Sequence, residues 1–289
     1  MYHKSVLLEK SIDALDIERR SNGLFIDATL GGGGHTKEIL RRLGPDGKLI
    51  VFDKDADALE NAPEDSRLVK VHGNFRFLEN YVRYMKLEGI DGIIADLGVS
   101  SHQFDTAERG FSYRFDARLD MRMNTLSSLN AETVVNEYEK EDLERILREY
   151  GEVENAGRVA ETICKARGCG NGIRTTGKLC EALSSFYGAQ TERKFLGKVF
   201  QALRIEVNAE MRALEDLLAG SRNILASGGR LSVITYHSLE DRIVKNFIRD
   251  CKSDRTMSPV NKKPILPTDE EIEGNGRARS AKLRVAEKI

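Results

Sequence analysis

Four consecutive glycines follow a short apolar run in the stretch Phe25-Ile26-Asp27-Ala28-Thr29-Leu30-Gly31-Gly32-Gly33-Gly34-His35. Apolar residues then recur at helical spacing as far as Leu43, so the pattern predicts a strand, a glycine turn and a helix. Glycine lets the backbone turn tightly and approach a ligand closely. The helix behind the turn directs its free N–H groups at that ligand. This is how a doubly wound sheet holds a cofactor at its edge.

Strand-like and helix-like segments alternate on both sides of a long polar and helical stretch. Repeated βα units of this kind indicate an α/β fold with a mostly parallel sheet and right-handed crossovers. Loops are predicted at 101–130 and 253–276, and helices at 203–225 and 240–251. Strands are predicted at 23–27, 48–53, 67–71, 90–96, 230–235 and 281–286.

Residues 130–199 show helical periodicity and no strand signal. Leu143, Ile146, Leu147 and Tyr150 repeat at helical spacing, and Thr176 is a candidate N-cap for a further helix. We therefore predict a discontinuous α/β domain of residues 1–108 and 203–289. A helical insertion at 109–202 is predicted to recognise the substrate.

Composition limits the class of protein. No apolar run among the 289 residues approaches the roughly 18 needed to cross a bilayer, and the N-terminus lacks a long apolar signal region, so we expect a cytoplasmic protein. The four cysteines form no CxxC pair and the five histidines are scattered, so no metal site is expected.

Charge is distributed unevenly along the chain. The net charge is −1, yet the segment from Arg242 to Ile289 carries 12 basic against 7 acidic residues, a net of +5. Local positive surfaces bind phosphates even on a neutral protein. We therefore interpret this segment either as phosphate-binding or as an ordinary solvated tail. We also expect the loop from Arg109 to Arg122 to bind phosphates.

An acidic residue ends the second predicted strand about twenty residues after the glycines. In dinucleotide-type folds a carboxylate in this place accepts the hydrogens of a ribose diol, so Asp53 indicates a nucleoside-bearing cofactor; its alternative role is a helix N-cap. NAD and S-adenosylmethionine both fit. The four-glycine run departs from the GxGxxG dinucleotide pattern and favours S-adenosylmethionine, with Asp27 and His35 as polar partners.

Further candidates follow the carboxyl ends of other strands, where ligands of open α/β sheets bind. Asp96 would face the reacting end of a cofactor, or would cap the next segment. Phe75 could stack on adenine or pack in the core, and Gln103 could contact the cofactor or cap a loop.

The segment 236–242 (YHSLEDR) is a dense group of functional side chains after the fifth strand. Ser238 with Asp241 also reads as a capping box. A Ser-His-Asp hydrolase is disfavoured because no glycine-flanked nucleophile elbow is present.

Together these motifs resemble those of the bacterial RsmH (MraW) family, whose members use S-adenosylmethionine to methylate the N4 of a cytidine in 16S rRNA. The matching blocks are 27–36 (DATLGGGGHT), 96–101 (DLGVSS), 109–112 (RGFS) with 119–123 (LDMRM), 200–205 (FQALRI) with Val207-Asn208, 236–244 (YHSLEDRIV) and 279–284 (RSAKLR).

The resemblance implies a class I (Rossmann-like) methyltransferase sheet interrupted by a helical domain, and the cytidine at position 1402 in the decoding centre of the small ribosomal subunit as substrate. It leaves open a monomer or a homodimer. It implies cofactor contacts at Gly33, Gly34, His35, Asp53, Phe75, Asp96 and Gln103.

A cytosine amine needs an acceptor for its proton, and we predict Asp96 for this task. Asn74, His237 and Ser100 are alternatives, and Phe104, Phe111 or Tyr236 could hold the flipped base.

Two other function classes stay open on the sequence. One is a dehydrogenase that binds NAD at the glycine turn, and the other is a non-catalytic module that binds or assembles RNA on an inherited fold.

Overall fold

The computed structural model describes residues 5–289, apart from the side chain of Ser101. The chain forms two compact units. The first contains the residues up to Gly98 together with Met211–Ile289, and the second is Val99–Glu210. The sequence prediction had placed the helical insertion at 109–202.

The first unit is built on one seven-stranded sheet in the order β3-β2-β1-β4-β5-β7-β6. Strands β1 to β5 are parallel, and β7 runs antiparallel to both β5 and β6. The predicted α/β class with a Rossmann-like sheet is confirmed. The strands are β1 (Leu24–Asp27), β2 (Lys48–Asp53), β3 (Leu68–His72), β4 (Ile90–Asp96), β5 (Leu225–Thr235), β6 (Met257–Pro259) and β7 (Lys282–Lys288).

The central strands are apolar along their length because helices cover both faces of the sheet. Ile50 and Phe52 pack into the core on one face, while Leu49 and Val51 pack into the core on the other. The helices of this unit are α1 (Leu8–Asp13), α2 (Gly34–Arg42), α3 (Ala56–Leu59), α4 (Leu78–Tyr84), α12 (Ser238–Ser253) and α13 (Asp269–Gly274), with most of α11 (Glu210–Ile224).

Two sequence predictions about the last part of the chain are wrong. The predicted loop 253–276 contains the short strand β6 and helix α13. The predicted helix 203–225 is two helices, because the helix Glu192–Asn208 ends within this range and α11 begins at Glu210. Ala209 between them has a φ of 48°, a left-handed conformation that a helix interior excludes.

The second unit is helical and has its own core, in which Leu143, Ile146 and Leu147 of α7 are completely buried. Helix α9 is capped by Thr175, one residue before the predicted cap, and α5 lies inside the predicted loop 101–130. Its helices are α5 (Ser101–Asp105), α6 (Ala131–Glu137), α7 (Lys140–Glu149), α8 (Ala156–Gly168), α9 (Thr176–Ala182) and α10 (Glu192–Asn208).

A helix that crosses a bilayer must be long and apolar, and none of the helices within residues 5–289 meets both requirements.

Candidate active site at the carboxyl edge of the sheet

The four glycines form the turn between β1 and α2. Gly31 and Gly33 have φ angles of 50° and 76°, in the left-handed region that favours glycine. A Cβ at Gly33 would lie 2.8 Å from the carbonyl oxygen of Asn61, whereas a Cβ at Gly32 would meet no atom within 4 Å. The turn is thus closed on the Gly33 side and open at Gly32, as a cradle for a ligand would be.

Asp27 fixes this turn from inside the protein. The residue is 1% exposed. Its carboxylate accepts hydrogen bonds from the Thr29 amide (3.0 Å) and the Thr36 hydroxyl (2.6 Å). Burial raises the pKa of Asp27, while His35 and these two donors oppose the rise. Asp27 therefore holds the turn against α2, in place of the predicted polar contact with a ligand.

Asp53 ends β2 beside the glycine turn. Its Oδ2 accepts from the Gly31 amide and its Oδ1 from the Asp55 amide, both at 2.9 Å. A carboxylate offers about four acceptor positions, so two of them remain for a ribose diol. Burial raises the pKa of Asp53, and the two amide hydrogen bonds oppose this rise. The N-cap of α3 is Asp55, so the alternative role of Asp53 as a cap is wrong.

Asp96 ends β4 and lies at the centre of a polar chain. Its Oδ1 accepts a 2.7 Å hydrogen bond from the Tyr236 hydroxyl, and its amide donates to the Thr29 hydroxyl at 2.7 Å. His35 Nδ1 lies 3.8 Å from Asp96 Oδ2, and His35 Nε2 lies 3.3 Å from the Val6 carbonyl oxygen. Thr29 thus connects the glycine turn to the end of β4.

Burial raises the pKa of Asp96 to about 6, with His35 and the Tyr236 hydrogen bond opposing the rise. The side chain retains 23% of its exposure. Burial and the neighbouring Asp96 also raise the pKa of Tyr236 well above its usual value, so the phenol stays protonated and donates. A partly exposed carboxyl group with a pKa near neutrality is suited to general base catalysis.

The other residues that the sequence predicts for the site have structural roles. Asn74 is an N-cap whose side-chain oxygen accepts from the Arg76 amide, and Phe75 beside it is partly exposed and packs on the sheet core. In the second unit, Ser100 and Gln103 form a reciprocal capping box at the start of α5, and Gln103 is 5% exposed. Contacts of Phe75 and Gln103 with a cofactor stay predictions.

The capping box of α12 is formed by His237 and Glu240, so the predicted box of Ser238 and Asp241 is wrong. His237 Nδ1 accepts from the Glu240 amide (3.4 Å), while Glu240 Oε2 accepts from the amides of His237 and Tyr236. Glu240 thereby also holds the backbone that carries the Tyr236 ring. A catalytic role of His237 stays a prediction.

Neither arginine that bounds the loop 109–122 has its guanidinium free for a phosphate. Arg109 donates to the carbonyl oxygens of Arg122 and Met123. Arg122 forms a two-pronged ion pair with Asp120 and donates to two further carbonyls. Both arginines therefore stabilise the loop, and the structure gives no support for a phosphate contact at either of them.

The structure brings Gly31–Gly34, His35, Asp53 and Asp96 together at one edge of the sheet. The open space at Gly32, the free acceptor positions of Asp53 and the partly exposed Phe75 fit a nucleoside cofactor such as S-adenosylmethionine. Sequence reasoning missed Thr29 and Asn61, whose side chain donates to the Gly31 carbonyl. The position of Thr29 inside the turn was the only available signal.

The sequence profile of the MraW methylase family matches residues 1–289. Two relatives, from Flavobacterium johnsoniae and Parabacteroides distasonis, are each named ribosomal RNA small subunit methyltransferase H. Each is 51% identical, and the match covers 100% of this chain and 98% of the relative. A solved rRNA methylase from Streptococcus thermophilus is 14% identical, with a TM-score of 0.44 over 99% of this chain and 98% of that one.

Proposed function

Because the chain belongs to the MraW methylase family, we propose that it methylates the exocyclic N4 of a cytidine in the 16S rRNA of the small ribosomal subunit, in the cytoplasm. Its cofactor is S-adenosylmethionine. The names of the relatives support an RNA substrate. The observation that carries the proposal is the carboxylate of Asp96, held by Tyr236 at 2.7 Å beside the glycine turn.

The N4 amine of cytosine is a weak nucleophile because its lone pair is delocalised into the ring. An acceptor for an N4 hydrogen localises that lone pair and then takes the proton. S-adenosylmethionine, when bound, supplies a methyl group on a positively charged sulfur. In the proposed reaction N4 would form a bond to the methyl carbon while the bond from that carbon to sulfur breaks, leaving S-adenosylhomocysteine, and the N4 proton goes to Asp96.

Asp96 suits this task better than the alternative residues. Asn74, His237 and Ser100 each use a side-chain acceptor to cap a helix. Asp96 uses Oδ1 to accept from Tyr236, and Oδ2 is not engaged by a described hydrogen bond within the first unit. A carboxyl group with a pKa of about 6 is largely ionised at pH 7, and it is a stronger base than an ordinary carboxylate.

His35 lies beside the proposed base. Its Nε2 lies 3.3 Å from the Val6 carbonyl oxygen, which can only accept, and its Nδ1 lies 3.8 Å from Asp96 Oδ2. His35 opposes the rise in the pKa of Asp96 that burial causes. We assign His35 as a positioning residue that favours the ionised form of Asp96.

The helical unit Val99–Glu210 is proposed to recognise the RNA, in keeping with the substrate role expected for residues 109–202. Phe111 is 4% exposed within its core, so this ring supports the unit and is not free to hold a flipped base. Phe104 and Tyr236 stay as candidates for that contact.

Mass spectrometry of small-subunit rRNA tests the proposal. Cells that lack the protein should lose N4-methylcytidine, the wild-type gene should restore it, and Asp96→Ala should not. Unchanged N4-methylcytidine in the deletion strain would refute the proposed function. Calorimetry of the purified protein should detect S-adenosylhomocysteine and not NADH, whereas the reverse result would favour a dehydrogenase.

A further inference from the structure

Helix α12 carries a stripe of positive charge along one face, formed by Arg242, Lys245, Arg249 and Lys252. All four side chains are exposed. At 3.6 residues per turn they fall within an arc of about 80°, and at 1.5 Å per residue they extend along about 15 Å of the helix. We call this set the α12 stripe.

Most of the stripe is not neutralised by the fold. Arg249 lies 3.0 Å from the neighbouring Asp250. No carboxylate in the described part of the chain forms an ion pair with Arg242, Lys245 or Lys252. The three cations repel one another electrostatically because no counterion lies beside them. An anionic ligand would reduce this repulsion.

Two other cations of the C-terminal segment form ion pairs within the fold. Arg284 and Lys282 of β7 pair with Asp241 at 2.7 and 3.1 Å. These contacts hold the first turn of α12 against the sheet, and they account for two of the positive charges that the sequence placed in this segment. Among the exposed cations of residues 242–289, those of the α12 stripe lie along one face of an α-helix.

Helix α12, which carries the α12 stripe, packs firmly against the sheet next to the candidate active site. Val244, Ile248 and Cys251 on the opposite face of α12 are buried in the sheet core. The helix begins at Ser238, two residues after Tyr236, whose hydroxyl bonds Asp96. Arg242 is therefore about one turn from the catalytic edge, and the stripe leads away from that edge.

We propose that the α12 stripe binds consecutive phosphates of the RNA strand that carries the target nucleotide. The inference rests on the proposed function for the identity of the polymer. A polynucleotide held at Asp96 must continue past the pocket, and a linear array of cations fits its regular charges. A membrane surface fits poorly, because the apolar residues of α12 are buried or packed against the sheet core and are unavailable for insertion.

The test compares two triple variants of the full-length protein. Arg242→Gln/Lys245→Gln/Lys252→Gln removes three charges from the stripe. Arg19→Gln/Lys48→Gln/Lys86→Gln removes one arginine and two lysines that are also exposed and also lack a described ion pair. Arg19 and Lys86 precede β1 and β4, and Lys48 is the first residue of β2, so the control residues lie at the opposite edge of the sheet.

The measurement is the affinity for a single-stranded RNA oligonucleotide of about 25 nucleotides as a function of salt, without cofactor. Each lost phosphate contact should reduce the slope of log K against log [salt] by about 0.7, so the stripe variant should lose about 2. Its affinity at low salt should fall on the order of 10- to 100-fold. The control variant should bind as the wild type does.

Equal slopes for the stripe variant and the wild type would overturn the inference, as would an equal loss in the control variant or wild-type binding that does not depend on salt. S-adenosylhomocysteine affinity should be unchanged in both variants, which excludes misfolding as the cause. Because RNA binding is measured without methylation, failure of the stripe and failure of the proposed N4 chemistry are separate results.

Discussion

The hydroxyl of Tyr236, at the end of β5, donates a 2.7 Å hydrogen bond to Asp96 at the end of β4. These strands are adjacent and parallel, with Ile234 opposite Asp96, so the residues that follow them meet above the same edge. The bond lowers the pKa of a carboxyl group that burial raises to about 6. The hydrogen bond from Tyr236 thus increases the fraction of the Asp96 carboxyl group that is ionised near neutral pH.

Replacing Asp96 with Asn should abolish methylation. The amide is nearly the same size and still accepts from Tyr236, but it cannot take a proton. The wild-type kcat/KM should fall tenfold per pH unit below about pH 6, because kcat/KM reports ionisation in the free enzyme. Radiolabelled methyl transfer to RNA between pH 5 and 8 measures this. A flat profile, or an active Asn variant, would exclude Asp96 as the base.

The same substitution should stabilise the protein at pH 8. The pKa of Asp96 is raised from 3.8 to about 6 on folding, so its protonated form favours the folded state. That contribution is complete below pH 3.8 and is lost as the pH rises through 6. Asp96→Asn should therefore gain on the order of 1–3 kcal/mol at pH 8 and nothing near pH 4. Urea unfolding at both pH values provides the measurement, and a pH-independent difference would contradict the raised pKa.

Tyr236→Phe should move the acidic limb of the pH profile to higher pH. Without the phenol, the ionised form of Asp96 loses a hydrogen bond and its pKa rises further, so activity at pH 6 falls more than activity at pH 8. Tyr138→Phe is the matched control, because it removes a hydroxyl that donates to Glu206 at 2.9 Å in the helical unit. Both variants should lose about 1 kcal/mol of stability. A similar pH shift in both would assign the effect to general destabilisation.

The sheet could be predicted closely where apolar runs end sharply. The ranges predicted for β2 and β4 match the structure, because each run is bounded by charged or turn residues. β6 was missed because a three-residue strand that contains Pro259 carries no alternating pattern, and it forms only by pairing with β7. The break at Ala209 was equally hidden, since alanine is a strong helix former and its left-handed conformation is imposed by tertiary structure.

The candidate site could be predicted only in part. Asp53 and the glycine turn follow from local sequence. The hydrogen bond between Tyr236 and Asp96 joins residues 140 positions apart, and only the order of the strands brings them together. Charge composition does not reveal that the guanidinium groups of Arg109 and Arg122 are occupied by backbone carbonyls.

Asn208→Ala should loosen the loop at Met121–Met123, which Asn208 of α10 holds by two hydrogen bonds. The Asn208 amide donates to the Met121 carbonyl, and its oxygen accepts from the Met123 amide, both at 2.8 Å. Its loss should cost about 2–4 kcal/mol and leave the Met123 amide without an acceptor. Hydrogen exchange should accelerate at Met123. Asn124→Ala, which removes an exposed turn contact with Leu126, should leave Met123 protected; an unchanged Met123 rate in Asn208→Ala would count against this role.

Gly32→Ala and Gly33→Ala should separate ligand binding from folding within one turn. At Gly33 the φ of 76° and the Asn61 carbonyl at 2.8 Å oppose any side chain, so Gly33→Ala should lower the thermal midpoint by several degrees. At Gly32 a methyl group meets no protein atom, so the midpoint without ligand should be unchanged. If Gly32 faces the cofactor, S-adenosylhomocysteine affinity in Gly32→Ala should fall at least tenfold by calorimetry. Wild-type affinity would show that the open side of the turn is not where the cofactor lies.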